Sequence, residues 1–178
     1  MREWILAVLL AATPHVSDRT EPPESRQERL ELLADAMALA VEESVSTGRW
    51  TRAPKELGAY LLTVGQWESH WAARIHQAKC LPWECDRGRA RSPWQFQRWG
   101  LLRDAWDRYE GADAGSTRRA ARAAALVLSR ARRACSSPVG VFAYYHRGTC
   151  MPSPAFRRGA ENRAKTFQRL MTFEPPQQ

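Results

Sequence analysis

The sequence between residues 65 and 71, Gly-Gln-Trp-Glu-Ser-His-Trp, places one carboxylate, Glu68, among two indoles and an imidazole. Apolar residues recur around Glu68 at steps of three and four, as on one face of a helix: Leu57, Leu61, Val64 and Trp71. An apolar environment favours the protonated form of a carboxyl group, which a general acid needs near neutral pH. Glu68 is therefore the candidate catalytic acid, and the alternative is a structural ion pair with an arginine at a helix end.

The elements that must position this residue are predicted to be helical. A chain of 178 residues with 44% hydrophobic residues can bury one sizeable core, so we expect a single all-α domain. Helical spacing of apolar residues predicts helices over 28–45, from Pro54 onward, around 99–109, and over 117–134, 138–146 and 155–172. Residues 75–93 lack this spacing and are predicted to form a long loop, which in compact domains is usually functional.

Three segments are expected along the chain. Residues 1–29 comprise an apolar helix or signal-like segment and a proline-rich loop, residues 30–172 form the folded domain, and residues 173–178 are a frayed tail. The apolar run Trp4–Ala12 has about half of the ~20 residues that a membrane-spanning helix needs, so no transmembrane segment is expected. A retained core helix is favoured over a cleaved signal, because Arg2 is offset by Glu3.

The charge balance predicts an anionic partner. The chain has 27 basic and 19 acidic side chains, a net charge of +8, which suits nucleic acid, acidic membranes or the bacterial cell wall. Six arginines between residues 117 and 134 could follow phosphates, so a basic helical nucleic-acid-binding protein is one alternative. No DNA-reading motif accompanies these arginines, and the aromatic residues cluster with Glu68 instead. Nucleic acid is therefore not the expected partner.

Four cysteines could form two disulfides or a four-thiolate zinc site: Cys80, Cys85, Cys135 and Cys150. Their spacing favours disulfides and hence an extracytoplasmic location. A Cys135–Cys150 bridge requires a returning loop, because a straight helix over residues 138–146 alone rises ~12 Å, whereas bridged Cα atoms lie within ~7 Å. His70 and His76 lack the i, i+4 spacing of helical zinc ligands, and no metal or other cofactor is expected.

Three short motifs follow one another along the chain: Glu68-Ser69 after an apolar helix, Pro93-Trp94-Gln95-Phe96 after a loop, and Ala143-Tyr144-Tyr145-His146-Arg147-Gly148. They resemble, in order, the Glu-Ser, Gly-Leu-Met-Gln and Ala-x-Tyr-Asn-x-Gly signatures of the soluble, goose-lysozyme-like lytic transglycosylases. The likeness covers residues 57–150. The chain departs from the pattern at residues 92–94, which replace Gly-Leu-Met, and at His146, where asparagine is usual.

The resemblance implies a lysozyme-like α-domain that cleaves the β-1,4 bond between N-acetylmuramic acid and N-acetylglucosamine in peptidoglycan. The same resemblance implies that Glu68 acts as acid and base and that Ser69 supports its carboxyl group. It also implies that Gln95 lines the sugar cleft and that Tyr145 hydrogen-bonds near Glu68. The 6-hydroxyl of muramic acid then closes a 1,6-anhydro ring without water. Tyr144 is a further predicted substrate contact. Peptidoglycan strands are the expected partner, and a phage particle, an envelope-spanning secretion assembly or an autolysin could employ such a domain.

Aromatic residues beside the long loop are candidates for stacking on sugar rings. Trp94 is predicted to contact substrate in this way, and Trp83 is a second candidate. Two alternatives to the transglycosylase remain close in fold. A lysozyme-type hydrolase would use Glu84 or Asp86 as a second carboxylate, ~5–5.5 Å from Glu68 in a retaining enzyme and ~6.5–9.5 Å in an inverting one. A lysozyme-like interaction domain would have lost activity.

Overall fold

The computed structural model describes residues 1–12, 21–81, 83, 85–97 and 102–175 of the chain. The elements are α1 Arg2–Ala12, α2 Pro23–Ser46, α3 Pro54–Ser69, α4 Ala73–His76, α5 Cys85–Gly88, β1 Ala90–Arg91, β2 Phe96–Gln97, α6 Arg103–Asp107, α7 Ala114–Ala134, α8 Pro138–Arg147 and α9 Pro154–Thr172. The two short strands pair antiparallel, with Ala90 opposite Gln97. The predicted all-α, single-domain fold is confirmed.

Helix α3 is the centre of the core. Every residue from Leu57 to Gly65 is buried, so this helix has no solvent-facing side over more than two turns. Helices that are buried on all sides are packed from every direction, and α3 contacts α1, α2, α7 and α9. Gln66, Trp67 and Glu68 are only partly buried, and the last turn of α3 therefore brings Glu68 to the edge of the core.

Proline and glycine set several helix ends. Helices α2, α3, α8 and α9 each have proline at a first helical position, where the missing N–H group has no partner to lose. The predicted helix starts at Pro54 and Pro138 are confirmed. Helix α8 ends at Gly148, whose φ of 72° is a left-handed conformation that costs glycine little. The chain turns back at this point.

Helix α1 belongs to the same core as the rest of the domain. Ile5 and Leu9 are fully buried, and Arg2 forms an ion pair with Asp35 of α2. The predicted boundary after residue 29 falls inside α2 and is not a structural boundary. The indole N–H of Trp4 donates to the carbonyl of Phe173 at 3.1 Å, so the first residue of the predicted tail is held by α1, and residues 176–178 lie outside the described residues. In the part of the chain that the structure describes, no helix combines the length and hydropathy of a membrane span.

The two predicted helices on either side of Gly111 differ from their predicted bounds. Around residues 99–109 the structure has the short α6, whereas Trp99 lies outside the described residues. Tyr109 leaves this helix and donates its hydroxyl to the carbonyl of His76 at 2.5 Å. Helix α7 begins three residues earlier than predicted because the carboxylate of Asp113 caps it, accepting from the N–H of Ser116 at 2.9 Å.

Disulfides are present, as the cysteine spacing favours, and the structure gives the connectivity that the sequence left open. Cys80 pairs with Cys85, with Cα atoms 6.1 Å apart, and Cys135 pairs with Cys150, with Cα atoms 5.5 Å apart. The second pair needs the predicted returning loop, which the turn after α8 provides. No thiolate is left for the alternative zinc site, since all four cysteines are bridged. The two bonds are compatible with an extracytoplasmic protein.

Candidate active site

Glu68 is placed by the way in which α3 ends. The hydroxyl of Ser69 donates to the carbonyl of Gly65 at 2.8 Å and accepts from the N–H of Trp71 at 3.1 Å. His70 and Trp71 both adopt positive φ, 51° and 59°, and this reversal returns the buried Trp71 ring to the core. The predicted apolar stripe along α3 is buried, but its last member, Trp71, lies beyond the end of the helix. Glu68 lies two residues before this reversal, with 21% of its side chain exposed.

The second motif segment folds into a tight turn against α3. Ser92 and Gln95 have φ of 71° and 49°, and the N–H of Gln95 donates to the carbonyl of Ser92 at 3.0 Å. Trp94 lies inside this turn, fully buried, with its indole N–H donating to the carbonyl of Leu61 at 3.1 Å. Its ring packs edge-on against Trp71 at 5.9 Å between centroids. The turn is therefore fixed to the middle of α3 and to the reversal that follows this helix.

The third motif segment reaches the same place from α8. The hydroxyl of Tyr145 donates to the carbonyl of Trp94 at 3.0 Å. Burial raises the pKa of Tyr145 well above its ordinary value, and the negative charge of Glu68 adds to that effect. The phenol is consequently neutral over the physiological range. The second and third motif segments are thus joined by a hydrogen bond, and the third lies close enough to Glu68 to respond to its charge.

Helix α9 supplies an arginine partner for that carboxylate, as in the ion pair that the sequence offered as the alternative to a catalytic acid. The Nη2 atom of Arg163 lies 2.9 Å from Oε1 of Glu68, and the two side chains are 13% and 21% exposed. The guanidinium carbon lies 5.3 Å from the ring centroid of Trp67 and 5.0 Å from that of Phe156. The indole N–H of Trp67 also donates to Thr166 at 3.1 Å. The end of α3 is therefore attached to α9 by an ion pair and a hydrogen bond.

His146 extends this group of side chains. Its ring stacks on Phe156 with centroids 4.1 Å apart and planes 17° from parallel. Burial lowers the pKa of His146. Glu68 opposes this decrease, whereas Arg163 and Arg147 add to it. The positive charge in direct contact with Glu68 is that of Arg163.

Two of the predicted roles need correction. Ser69 was expected to support the carboxyl group of Glu68, but both of its hydrogen bonds go to the backbone, so its part is to end the helix. Trp94 was expected to stack on a sugar, but it has no exposed surface. Its ring holds the turn against α3 instead. The exposed tryptophan of this region is Trp83, with 75% of its surface open to solvent.

Gln95 and Tyr144 remain candidates for contact with the substrate. Both are half-buried at the edge of the core. The amide nitrogen of Gln95 donates to the carbonyl of Ser92 at 3.0 Å and lies 3.5 Å from the sulfur of Cys85. The first disulfide therefore borders the turn that carries Gln95. The Tyr144 ring packs against the main core cluster.

The histidines and acidic residues form no metal centre in the described part of the chain. His70 is exposed, whereas His76 is fully buried with Nε2 2.8 Å from the hydroxyl of Thr117. Of the two carboxylates proposed for a hydrolase, Glu84 lies outside the described residues, as does the side chain of Asp86. The one carboxylate described where the three motifs meet is Glu68.

The wider surroundings of Glu68 combine solvent access with nearby positive charge. Its 21% exposure means that the carboxylate is neither sealed in the core nor free in solvent. A cavity of about 620 Å³ lies elsewhere, lined by Glu21, Arg29, Arg74 and Gln77 among others. Glu68 is not part of its wall.

The arginines of α7 are partly neutralised by acidic side chains. Arg122 lies 2.5 Å from a carboxylate oxygen of Glu43, and Arg132 lies 3.1 Å from one of Glu56. Arg133 donates to the carbonyl of Arg49 at 2.8 Å. These contacts reduce the charge that this helix presents to a phosphate backbone, and they give the nucleic-acid alternative no added support.

Sequence reasoning missed Arg163 and Phe156. The sequence pattern could have identified Arg163, because this residue follows the buried Ala160 by three positions and precedes the buried Phe167 by four. A charged residue beside an apolar stripe is the same feature that singled out Glu68. Comparisons of the chain with protein-family models, with curated proteins and with solved structures found no match.

Proposed function

We propose that the protein is a peptidoglycan lytic transglycosylase with Glu68 as its single catalytic carboxyl group. The observation that carries the proposal is the meeting of three motif segments at Glu68. Tyr145 of α8 is close enough to Glu68 for its pKa to respond to that charge, and it donates to the carbonyl of Trp94 beside Gln95. Motifs that matched by chance along the chain would not be expected to converge on one carboxylate.

The reaction assigns two successive roles to Glu68. As an acid it gives its proton to the glycosidic oxygen, and the bond between this oxygen and C1 of muramic acid breaks. The resulting carboxylate then accepts the proton of the muramic acid 6-hydroxyl, whose oxygen bonds to C1. The proton balance of Glu68 is restored, and the products are a 1,6-anhydromuramic end and a free 4-hydroxyl on the leaving sugar. No water enters.

The remaining residues of the site bind and orient the substrate. Tyr145 keeps its proton, so its phenol oxygen can accept a hydrogen bond from a sugar while its O–H group holds the Trp94 carbonyl. Gln95 offers an amide oxygen, because its nitrogen is already engaged. The two disulfides suit work outside the cytoplasm, as a phage-borne, secretion-associated or autolytic enzyme.

A clearing assay on purified peptidoglycan tests the role of Glu68. We expect Glu68→Gln to lower the rate at least ~100-fold, since a general acid contributes that much or more. The matched control is Glu56→Gln in the same helix, because Glu56 is also half-buried and paired with an arginine, Arg132, at 3.1 Å. This control should clear the wall at nearly the wild-type rate. Equal clearing by Glu68→Gln and the wild type would contradict the proposal.

A further inference from the structure

Arg163 occupies a position that a carboxylate of the substrate could also use. Its guanidinium lies between the rings of Trp67 and Phe156, and its Nη1 atom reaches the carbonyl of Gly159 at 3.4 Å. Aromatic faces and this carbonyl hold the group in place whether or not Glu68 is bound. The planar guanidinium can accept a carboxylate through two parallel hydrogen bonds, and Glu68 is contacted by Nη2.

The ion pair with Arg163 occupies Oε1 of Glu68 in the resting protein. A general acid must come within hydrogen-bond reach of the glycosidic oxygen, and this contact obstructs that approach. Tyr145 of α8 gives its hydroxyl proton to the carbonyl of Trp94, so in the described part of the chain Arg163 is the side chain that contacts Glu68. A substrate group that took Arg163 away would therefore leave Oε1 of Glu68 free to meet the glycosidic oxygen.

We propose that Arg163 is the receptor for a carboxylate of the glycan substrate, which displaces Glu68 from the guanidinium on binding. This inference rests on the proposed function and deepens it by naming the substrate class: acidic glycans are preferred to neutral ones. The carboxylate has two possible sources in peptidoglycan. One is the lactyl group of muramic acid in strands without peptides, and the other is the peptide stem, in which the lactyl group is an uncharged amide.

Binding to inactive protein tests the inference without reliance on turnover. The full chain with Glu68→Gln is titrated by calorimetry with three tetrasaccharides. The first alternates N-acetylglucosamine and muramic acid with free lactyl carboxylates, the second carries peptide stems, and the third is the neutral N-acetylglucosamine tetramer. Double variants that add Arg163→Gln or Arg163→Lys are titrated in parallel, and circular dichroism checks that each is helical.

We expect an acidic tetrasaccharide to bind Glu68→Gln about tenfold more tightly than the neutral one, since an ionised partner strengthens a hydrogen bond by this order. The wild type should bind the acidic tetrasaccharide more weakly than Glu68→Gln does, because Glu68 competes for Arg163. Adding Arg163→Gln should remove the preference, and adding Arg163→Lys should restore part of it by keeping the charge. The tighter of the two acidic ligands identifies the source of the carboxylate.

Two results would overturn the inference, and they are distinguishable. If all three glycans bind equally well and Arg163→Gln changes none of the affinities, Arg163 is not the receptor, although the proposed function stands. If no glycan binds to any form of the protein, the proposed function fails together with the inference.

Discussion

Gly65→Ala is expected to destabilise the protein, although the same change usually strengthens a helix. A Cβ atom added at Gly65 would lie 1.9 Å from Cη2 of Trp71 and 2.4 Å from Cζ2 and Cζ3 of the same ring. Trp71 is 2% exposed and packs edge-on against Trp94. The indole therefore cannot move away from the new methyl group without disturbing a second buried ring.

The two opposing effects can be compared. Alanine is favoured over glycine inside a helix by ~1 kcal/mol, whereas forcing extra volume into a packed core costs ~1–3 kcal/mol. An approach of 1.9 Å calls for the upper part of that range, so the net loss in free energy of unfolding should be about 2 kcal/mol. For a chain of this size the melting temperature should fall by roughly 4–8 °C.

Denaturant and thermal unfolding of Gly65→Ala and Gly58→Ala measure this difference. Gly58 is the matched control in the same helix, because a Cβ there would meet Trp4 at 3.3 Å and the flexible Met1 at 3.4 Å. We expect its free energy of unfolding to stay within ~0.5 kcal/mol of the wild type. If Gly65→Ala proves as stable as Gly58→Ala, the close packing of Trp71 on α3 is incorrect.

Burial, with the charge of Arg29, lowers the pKa of His76 from 6.5 to about 3. Below pH 6.5 the unfolded chain therefore binds a proton at this residue that the folded protein does not bind. Stability should therefore decrease as the pH falls from 6.5 towards 3, by up to ~1.4 kcal/mol per pH unit. Urea titrations at several pH values should show that the free energy of unfolding depends less on pH in His76→Gln than in the wild type. The control His70→Gln should keep the wild-type dependence. Replacing Cys135 and Cys150 together by serine should cost about 3 kcal/mol, given their separation of 15 residues. Unfolding without reductant measures this loss, and a value near zero would count against the bridge.

The helices were largely predictable because periodicity and proline report on local structure. The stripe Leu57, Leu61 and Val64 is buried as expected, and Pro54 and Pro138 begin helices. Such features depend on residues within a few turns of one another. The start of α7 was missed because its cap, Asp113, lies before the apolar pattern begins. The sequence could not show that the N-terminal helix belongs to the core, because this depends on its contacts with the distant helices α2 and α3.

The site was less predictable, because its contacts join distant segments. Trp94 follows a loop, and its burial depends on the turn at Ser92 and on the carbonyl of Leu61, neither of which has a sequence signature. Ser69 next to Glu68 suggested direct support of the carboxyl group, but a hydroxyl at the end of a helix is also a ready backbone partner. The sequence indicated that Glu68 needed an explanation without showing that Arg163 would be its partner.

The identity of the new glycan end is the most direct test of the central claim, that Glu68 alone cleaves peptidoglycan by ring closure. Purified peptidoglycan is digested with the full chain, and the released fragments are analysed by mass spectrometry. We predict fragments that end in 1,6-anhydromuramic acid, lighter by one water than hydrolysed fragments, from the wild type and none from Glu68→Gln. Fragments that carry only reducing muramic acid ends would contradict the account.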